Sequence, residues 1–289
     1  MEMTILVRDD GITHLVLVGR LDTNSADQMD KTFSDAVAAG GGSAIVDLSQ
    51  IDFIASRGIG LLVANGKRLL KAGRKLVLLN PQGMVGGVLK TARAELLMPI
   101  VRDLDEALHV LSGGKAKSVA APVRSQPRAE SPGADVPVAA AADVLKLSIK
   151  NELSQLETVN AAVAEYLAAH PVPERAAYAV NLAIEELIVN VLQYAYIDDD
   201  PHVIEIELAI EGNQIVLRIV DDGMPFDPRK GPALNVHAED YENGGLGLIL
   251  VLDMVDVLKY RRDGDRNRVE VRIHLANQEE ESSPESPAE

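Results

Sequence analysis

Glu186 and Asn190 stand four residues apart in a stretch with helical periodicity, so they share one face. Ile184, Leu187, Ile188 and Val191 make their surroundings apolar. A carboxylate and an amide one turn apart suit Mg²⁺-phosphate chemistry. Mg²⁺ takes hard oxygen ligands, often one from the protein and others from substrate phosphates. The carboxylate would orient or deprotonate an attacking hydroxyl. The same pair also fits the polar edge of an ordinary amphipathic helix. Glu185 points about 100° away on such a helix, and no catalytic role is assigned to it.

Further along, Asp221-Asp222-Gly223 closes a β-branched run that contains Ile215, Val216, Ile219 and Val220. A buried Asp at a strand end accepts a hydrogen bond from an exocyclic amine such as adenine's, and Gly223 would let a ligand approach the backbone. A plain Asp-Gly turn has the same letters. Gly244-Gly245-Leu246-Gly247 precedes an apolar helix. Glycine backbone at a helix start offers free N–H groups and the positive end of the dipole, a setting for phosphate. Neither G-x-G-x-x-G nor a Walker A spacing is present. In the first third of the chain, Ser56 sits at the expected start of another helix. Its hydroxyl would cap that helix, or a phosphate there would be favoured by the dipole and add about −1.5 to −2 charge to a surface.

The elements that must position these residues fall into two blocks. In residues 1–112, Thr4–Val7 and His14–Val18 form a hairpin around Asp9-Asp10-Gly11. A helix over Ser25–Ala39 is capped by Asn24 or Ser25, and Ala44–Leu48 is a buried strand. A helix over Gly58–Ala72, a strand over Lys75–Leu79, and helices over Pro81–Thr91 and Asp103–Leu111 follow. Alternating strands and helices predict an α/β fold, a mixed sheet covered by helices. In residues 143–277 the order differs. A strand over Val144–Ile149 precedes helices over Glu152–Ala169 and Glu174–Ala195. Strands over Val203–Ile210 and Gln214–Asp221 lead to an irregular stretch, 222–244, expected to be a ligand lid. A helix over Gly245–Val255 and strands over Val257–Arg261 and Val269–Leu275 complete an α+β sandwich.

Between the blocks, residues 113–142 hold nine Ala, four Pro and three Gly, which predicts a disordered linker. Residues 278–289 carry five Glu and no basic residue, which predicts a solvated acidic tail. The 289-residue chain has no Cys, which removes disulfides, thiol catalysis and Cys-based metal sites. Its six His show no paired metal spacing. A net charge of −16 argues against direct nucleic-acid and anionic-membrane partners. With no apolar run of membrane-spanning length and no signal-peptide start, a cytoplasmic protein is expected.

Taken in order, the Glu186/Asn190 helix, the Asp221-x-Gly223 strand end and the Gly245-x-Gly247 helix start resemble the GHKL (Bergerat) ATPase superfamily over roughly residues 144–275. The resemblance implies ATP and Mg²⁺ as ligands. Asn190 would hold Mg²⁺, Glu186 would act as base, Asp221 and Gly223 would bind adenine, and Gly245 and Gly247 would cradle phosphates. The short lid and the lack of a dimerisation helix with a phosphoacceptor His look more like the anti-sigma factor serine kinases than like a histidine kinase. Tyr194 and Asn243 depart from residues common in that family, and Arg229 and Lys230 would supply phosphate charge instead. Over residues 1–112, Gly19-Arg20-Leu21-Asp22 and the segment Ala55-Ser56-Arg57-Gly58-Ile59-Gly60-Leu61 resemble STAS-domain anti-sigma factor antagonists. Ser56 then falls on their phosphoacceptor, with Ala55 and Arg57 replacing the usual neighbours.

The resemblances together imply a partner switch on one chain. An ATP-dependent serine kinase would phosphorylate a STAS antagonist, its own or a separate one, and hold a sigma factor or comparable regulator. A homodimer stays open. A linker of 30 residues spans about 30 Å, which gives a millimolar effective concentration where the geometry permits contact. The alternative of another class is an ATP-binding interaction module with little or no kinase activity; a third is a scaffold of two inactive domains.

Overall fold

The computed structural model describes residues 1–114, 144–198, 200–230 and 245–275. The linker from residue 115 on, the acidic tail and most of the lid, including Gly244 and Asn243, therefore lie outside the described residues. What is described contains two five-stranded sheets, one formed by residues before the linker in sequence and one by residues after it.

In the first unit, β1 (Glu2–Val7) and β2 (Thr13–Leu21) pair as an antiparallel hairpin. They are followed by α1 (Thr23–Ala39), β3 (Ala44–Ile54), α2 (Ser56–Lys71), β4 (Leu76–Leu79), α3 (Gly83–Thr91), β5 (Ile100–Val101) and α4 (Leu104–Leu111). The sheet order is β1-β2-β3-β4-β5, with every pair after the hairpin parallel. This is the mixed sheet expected, and its core is aliphatic: Leu15, Leu17, Ile45, Leu48, Leu62 and Leu78 are fully buried.

Several boundaries differ from expectation, and three of the differences bear on the chain around Ser56. Helix α1 is capped by Asp22, whose carboxylate accepts from the Ser25 N–H at 2.9 Å, rather than by Asn24 or Ser25. Ser25 instead donates its hydroxyl to the Arg20 carbonyl at 2.7 Å. Strand β3 continues six residues past Leu48, because irregularities in its pairing with β2 absorb the Asp47-Leu48-Ser49 break. Helix α2 then starts at Ser56, two residues early. Its third residue has to be glycine: a Cβ on Gly58 would lie 2.4 Å from the Leu21 carbonyl oxygen.

In the second unit, β6 (Val144–Lys150), α5 (Gln155–Ala168), α6 (Glu174–Tyr194), β7 (Val203–Glu211) and β8 (Gln214–Asp221) precede α7 (Leu246–Met254), β9 (Val257–Asp263) and β10 (Arg266–His274). The sheet order is β6-β7-β8-β10-β9, antiparallel throughout. Helix α6 is buried nearly continuously from Ala176 to Ile188. Along β8, Ile215, Leu217, Ile219 and Asp221 point to one face and Val216, Arg218 and Val220 to the other, the two-residue period of a strand. This is an α+β layer of helices and antiparallel sheet.

Candidate nucleotide site

The end of α6, the end of β8 and the start of β10 converge on a cavity of about 120 Å³. That is several times the ~15 Å³ that one water needs. Helix α6 contributes Leu187, Asn190, Val191 and Tyr194; β8 contributes Ile219 and Asp221; β10 contributes Asn267 and Val269. Met224, Pro225, Phe226 and Pro228, from the segment after β8, form another part of the lining. The walls are apolar apart from a few polar groups, the composition of a small-molecule pocket.

Asp221 is the polar anchor. It is 3% exposed, and its Oδ1 accepts from the Gly223 N–H at 2.9 Å and from Asn267 Nδ2 at 2.7 Å. Burial raises its pKa above the ordinary carboxylate value, while the two hydrogen bonds and the nearby Arg262 charge pull the other way. With Oδ1 doubly engaged, Oδ2 is the acceptor left for a ligand.

Asn267 fixes that arrangement, and the sequence reading missed it. Its Oδ1 accepts from Tyr260 Oη at 2.9 Å and from Arg262 Nη1 at 2.8 Å. Its amide nitrogen must therefore face Asp221 and the Met224 carbonyl, the latter at 3.0 Å. The expected strand began at Val269, which left Asn267 in a turn. Its only signal is the pairing Asn267↔Asp221 between strands distant in sequence.

Gly223 also meets a packing need within the protein itself. A Cβ there would lie 2.5 Å from the Ala195 side chain and 2.8 Å from the Ala195 carbonyl oxygen, so the backbone that approaches it is the protein's own. The Met224 N–H donates to that carbonyl at 2.8 Å, which straps the segment after β8 to the end of α6. A second tie lies beside it. His202 bridges Asp198 at 2.8 Å and Asp222 at 3.0 Å and stacks on Tyr196 at 4.1 Å. Asp198 first, then Asp222, raises its proton affinity.

Asn190 and Asp221 thus line one cavity; Glu186, Gly223, Gly245 and Gly247 are not among its lining residues. Glu186 lies one turn before Asn190 and is 6% exposed. Asn190 donates its amide to the Glu186 carbonyl at 2.6 Å, which leaves its side-chain oxygen as the free acceptor. A hard oxygen facing a pocket is the donor type that Mg²⁺ takes, so the residue fits the metal. Glu185 is fully buried and accepts from Asn160 at 3.0 Å. Gly245 has φ +115°, a conformation that favours glycine, immediately before α7, and Gly247 is buried within its first turn. Arg229 is held by Asp227 at 2.8 Å through two nitrogens, so its charge is already matched within its own segment. In the first unit, Ser56 is half-buried at the first position of α2, and the neighbouring Arg57 pairs with Asp27 at 2.5 Å.

Comparison with known families agrees with both units. Residues 149–273 match the histidine kinase-like ATPase domain and residues 4–107 match the STAS domain. The chain is a fusion of a STAS domain with a histidine kinase-like ATPase domain. Among curated proteins it is similar to the serine/threonine-protein kinase BtrW of Bordetella bronchiseptica, with 27% identity over 104 residues, covering 35% of this chain and 73% of that protein. Among solved structures it is similar to the unphosphorylated anti-sigma factor antagonist SpoIIAA (20% identity, 39% of this chain, 99% of that one, TM-score 0.32). It is also similar to the RsbU and RsbW domains of Rv1364c from Mycobacterium tuberculosis (17% identity, 46% of this chain, 32% of that one, TM-score 0.33). Among the described residues, no helix is long and apolar enough to cross a membrane.

Proposed function

We propose that this chain is an ATP-dependent serine kinase fused to an antagonist-type STAS domain, a partner switch that controls a sigma factor or a comparable regulator. The observation that carries the reading is the cavity in which Asn190 and Asp221 meet between apolar walls, within a histidine kinase-like ATPase domain. Asp221 Oδ2 accepts from the exocyclic amine of adenine, and Ile219, Val269, Met224 and Phe226 sandwich the ring. Asn190 turns its oxygen toward the phosphate side, where Mg²⁺, when bound, neutralises the triphosphate charge. The glycines at the start of α7 offer backbone N–H groups to phosphate oxygens.

In the transfer, a serine hydroxyl attacks the γ-phosphorus, the bond from that phosphorus to the β,γ-bridging oxygen breaks, and ADP leaves. The hydroxyl proton passes to Glu186. Catalysis of this kind is mostly positioning and charge stabilisation. Ser56 is the acceptor, in the same chain or a neighbouring one, or its equivalent on a separate STAS antagonist. A phosphate at Ser56 adds negative charge at the start of α2, beside Arg57, and so competes with Asp27 for that guanidinium. That change releases a partner docked on this surface and frees the ATPase domain for its regulator. BtrW, the similar curated protein, carries the name of a serine/threonine kinase, which supports the reaction class.

The test is phosphosite mapping after incubation of the full chain with γ-labelled ATP and Mg²⁺. Label on Ser56, absent from Ser56→Ala, is the expected result, or label on an added STAS antagonist. ATP binding with no label on any serine would favour a nucleotide-gated interaction module instead.

A further inference from the structure

Each of the two sheets ends in two edge strands, and three of these four edges are protected. Strand β5 is only two residues long. Strand β6 carries Lys146 and Lys150, and β9 carries Lys259, Arg261, Arg262 and Asp263. Short strands and charged side chains are the usual devices against edge-to-edge pairing. Strand β1 is six residues long and its one charged residue, Glu2, stands at its start, so the rest of the edge carries no charge. Its only strand partner among the described residues is β2, and its last three residues are exposed and apolar: Ile5 at 42%, Leu6 at 51% and Val7 at 58%. Ile5 shares a face with the fully buried Leu15 directly opposite it, so apolar surface runs from the core out to the open edge at that position.

The sequence of this strand is also self-complementary. An antiparallel pairing of two β1 strands, centred on Ile5, sets Met3 against Val7, Thr4 against Leu6 and Glu2 against Arg8. Both ends then carry opposite charges directly across from each other, a favourable cross-strand pair. A pairing shifted by two residues in either direction loses that match at both ends. Arg8 is available for the exchange, since its present partner is Asp10 at 3.4 Å in the exposed turn, where an ion pair contributes little.

We propose that a second copy of this chain pairs through β1, joining two STAS domains into one continuous ten-stranded sheet across a two-fold axis at Ile5. The surface is chemically distinct from the Ser56 segment, so the pairing stands whether or not Ser56 is phosphorylated. Its consequence for regulation is that STAS domains of two chains are held together, and phosphorylation between neighbouring chains becomes the short route.

The absence of cysteine makes the register directly testable. Residues directly opposite in an antiparallel pair lie about 4.5–5.5 Å apart between Cα atoms, within disulfide range, whereas diagonal neighbours about 7–8 Å apart lie outside it. In the full chain, Ile5→Cys is expected to form a disulfide-linked dimer on mild oxidation and Leu6→Cys is expected to form little. Sedimentation of the reduced proteins supplies a second measurement. Charge reversal in Glu2→Arg should weaken self-association by about tenfold, and the double variant Glu2→Arg/Arg8→Glu should restore it. Circular dichroism on each variant shows that the exposed sites tolerate the change. A wild-type chain that stays monomeric at tens of micromolar would overturn the proposal. So would equal cross-linking at positions 5 and 6, or a dimer indifferent to Glu2→Arg.

Discussion

The two faces of β8 use charge in opposite ways. On the face away from the helices, Arg218 donates to Glu207 at 2.8 Å, to Glu211 at 2.6 Å and to Glu270 at 3.3 Å. Around Arg218 the charges are matched in opposite pairs, and Glu270 is held down at a pKa of about 2, chiefly by Arg272 and also by Arg218. Three residues further on, on the face toward α6, Asp221 is buried with neutral donors on one oxygen and a cavity beside it. Its pKa moves up rather than down. The first arrangement stabilises the fold through satisfied ion pairs. The second keeps a carboxylate where ionisation costs stability, which is the expected signature of a group retained for a ligand.

The contrast is sharpened most by Glu186→Gln, which removes the proposed base and leaves the Asp221 pocket intact. Phosphoryl transfer should fall by about 10²–10⁴-fold with ATP affinity unchanged. Single-turnover transfer measured beside nucleotide titration checks this, and transfer at the wild-type rate would remove Glu186 from the mechanism.

Asn267→Ala comes next. It deletes a donor to the Asp221 carboxylate and leaves Tyr260 Oη and Arg262 without their shared acceptor. ATP affinity should drop about tenfold and the thermal midpoint should fall, because a hydrogen bond to a charged group contributes about 1.5–3 kcal/mol. Asn267→Asp should not rescue binding, since it sets a second carboxylate against Asp221.

The smallest effect belongs to the opposite face. Glu270 has its folded pKa depressed to about 2 from an ordinary 4.5, so its contribution is fully present above about pH 4.5 and is lost as pH falls from there toward 2. Glu270→Gln should therefore lower stability by about 1 kcal/mol or less at neutral pH, with the difference from wild type closing on acidification. ATP affinity should not change. Thermal melts between pH 7 and pH 3 show whether the two faces are separable in this way.

How far the sequence foretold these features depended on whether the signal was local. Helix α6 and strand β8 are legible because Leu187, Ile188, Ile219 and their neighbours repeat at the periods of a helix and a strand. The order of glutamate, asparagine, aspartate and glycines carried the resemblance to GHKL ATPases, and the first block carried the STAS resemblance. Strand β5 was invisible because two residues show no period. The end of β3 was misplaced because a pairing irregularity, not a turn, follows Leu48. Asn267 was missed because its role exists only once β10 lies beside β8. The packing of Gly223 against Ala195 is not legible in the sequence, because that contact needs the three-dimensional return of the chain after α6.

Titration of ATP into full-length wild type and into Asp221→Asn, by calorimetry, tests the central claim most directly. The substitution is nearly isosteric: an Asn carbonyl can keep the bonds from Gly223 and Asn267, while its NH₂ group replaces the acceptor that faces the cavity. The expected result is affinity lower by about 100-fold, with a thermal midpoint equal to or above the wild type, since an uncharged side chain no longer has to be buried. Unchanged ATP affinity in Asp221→Asn would contradict the claim that this carboxylate reads the base.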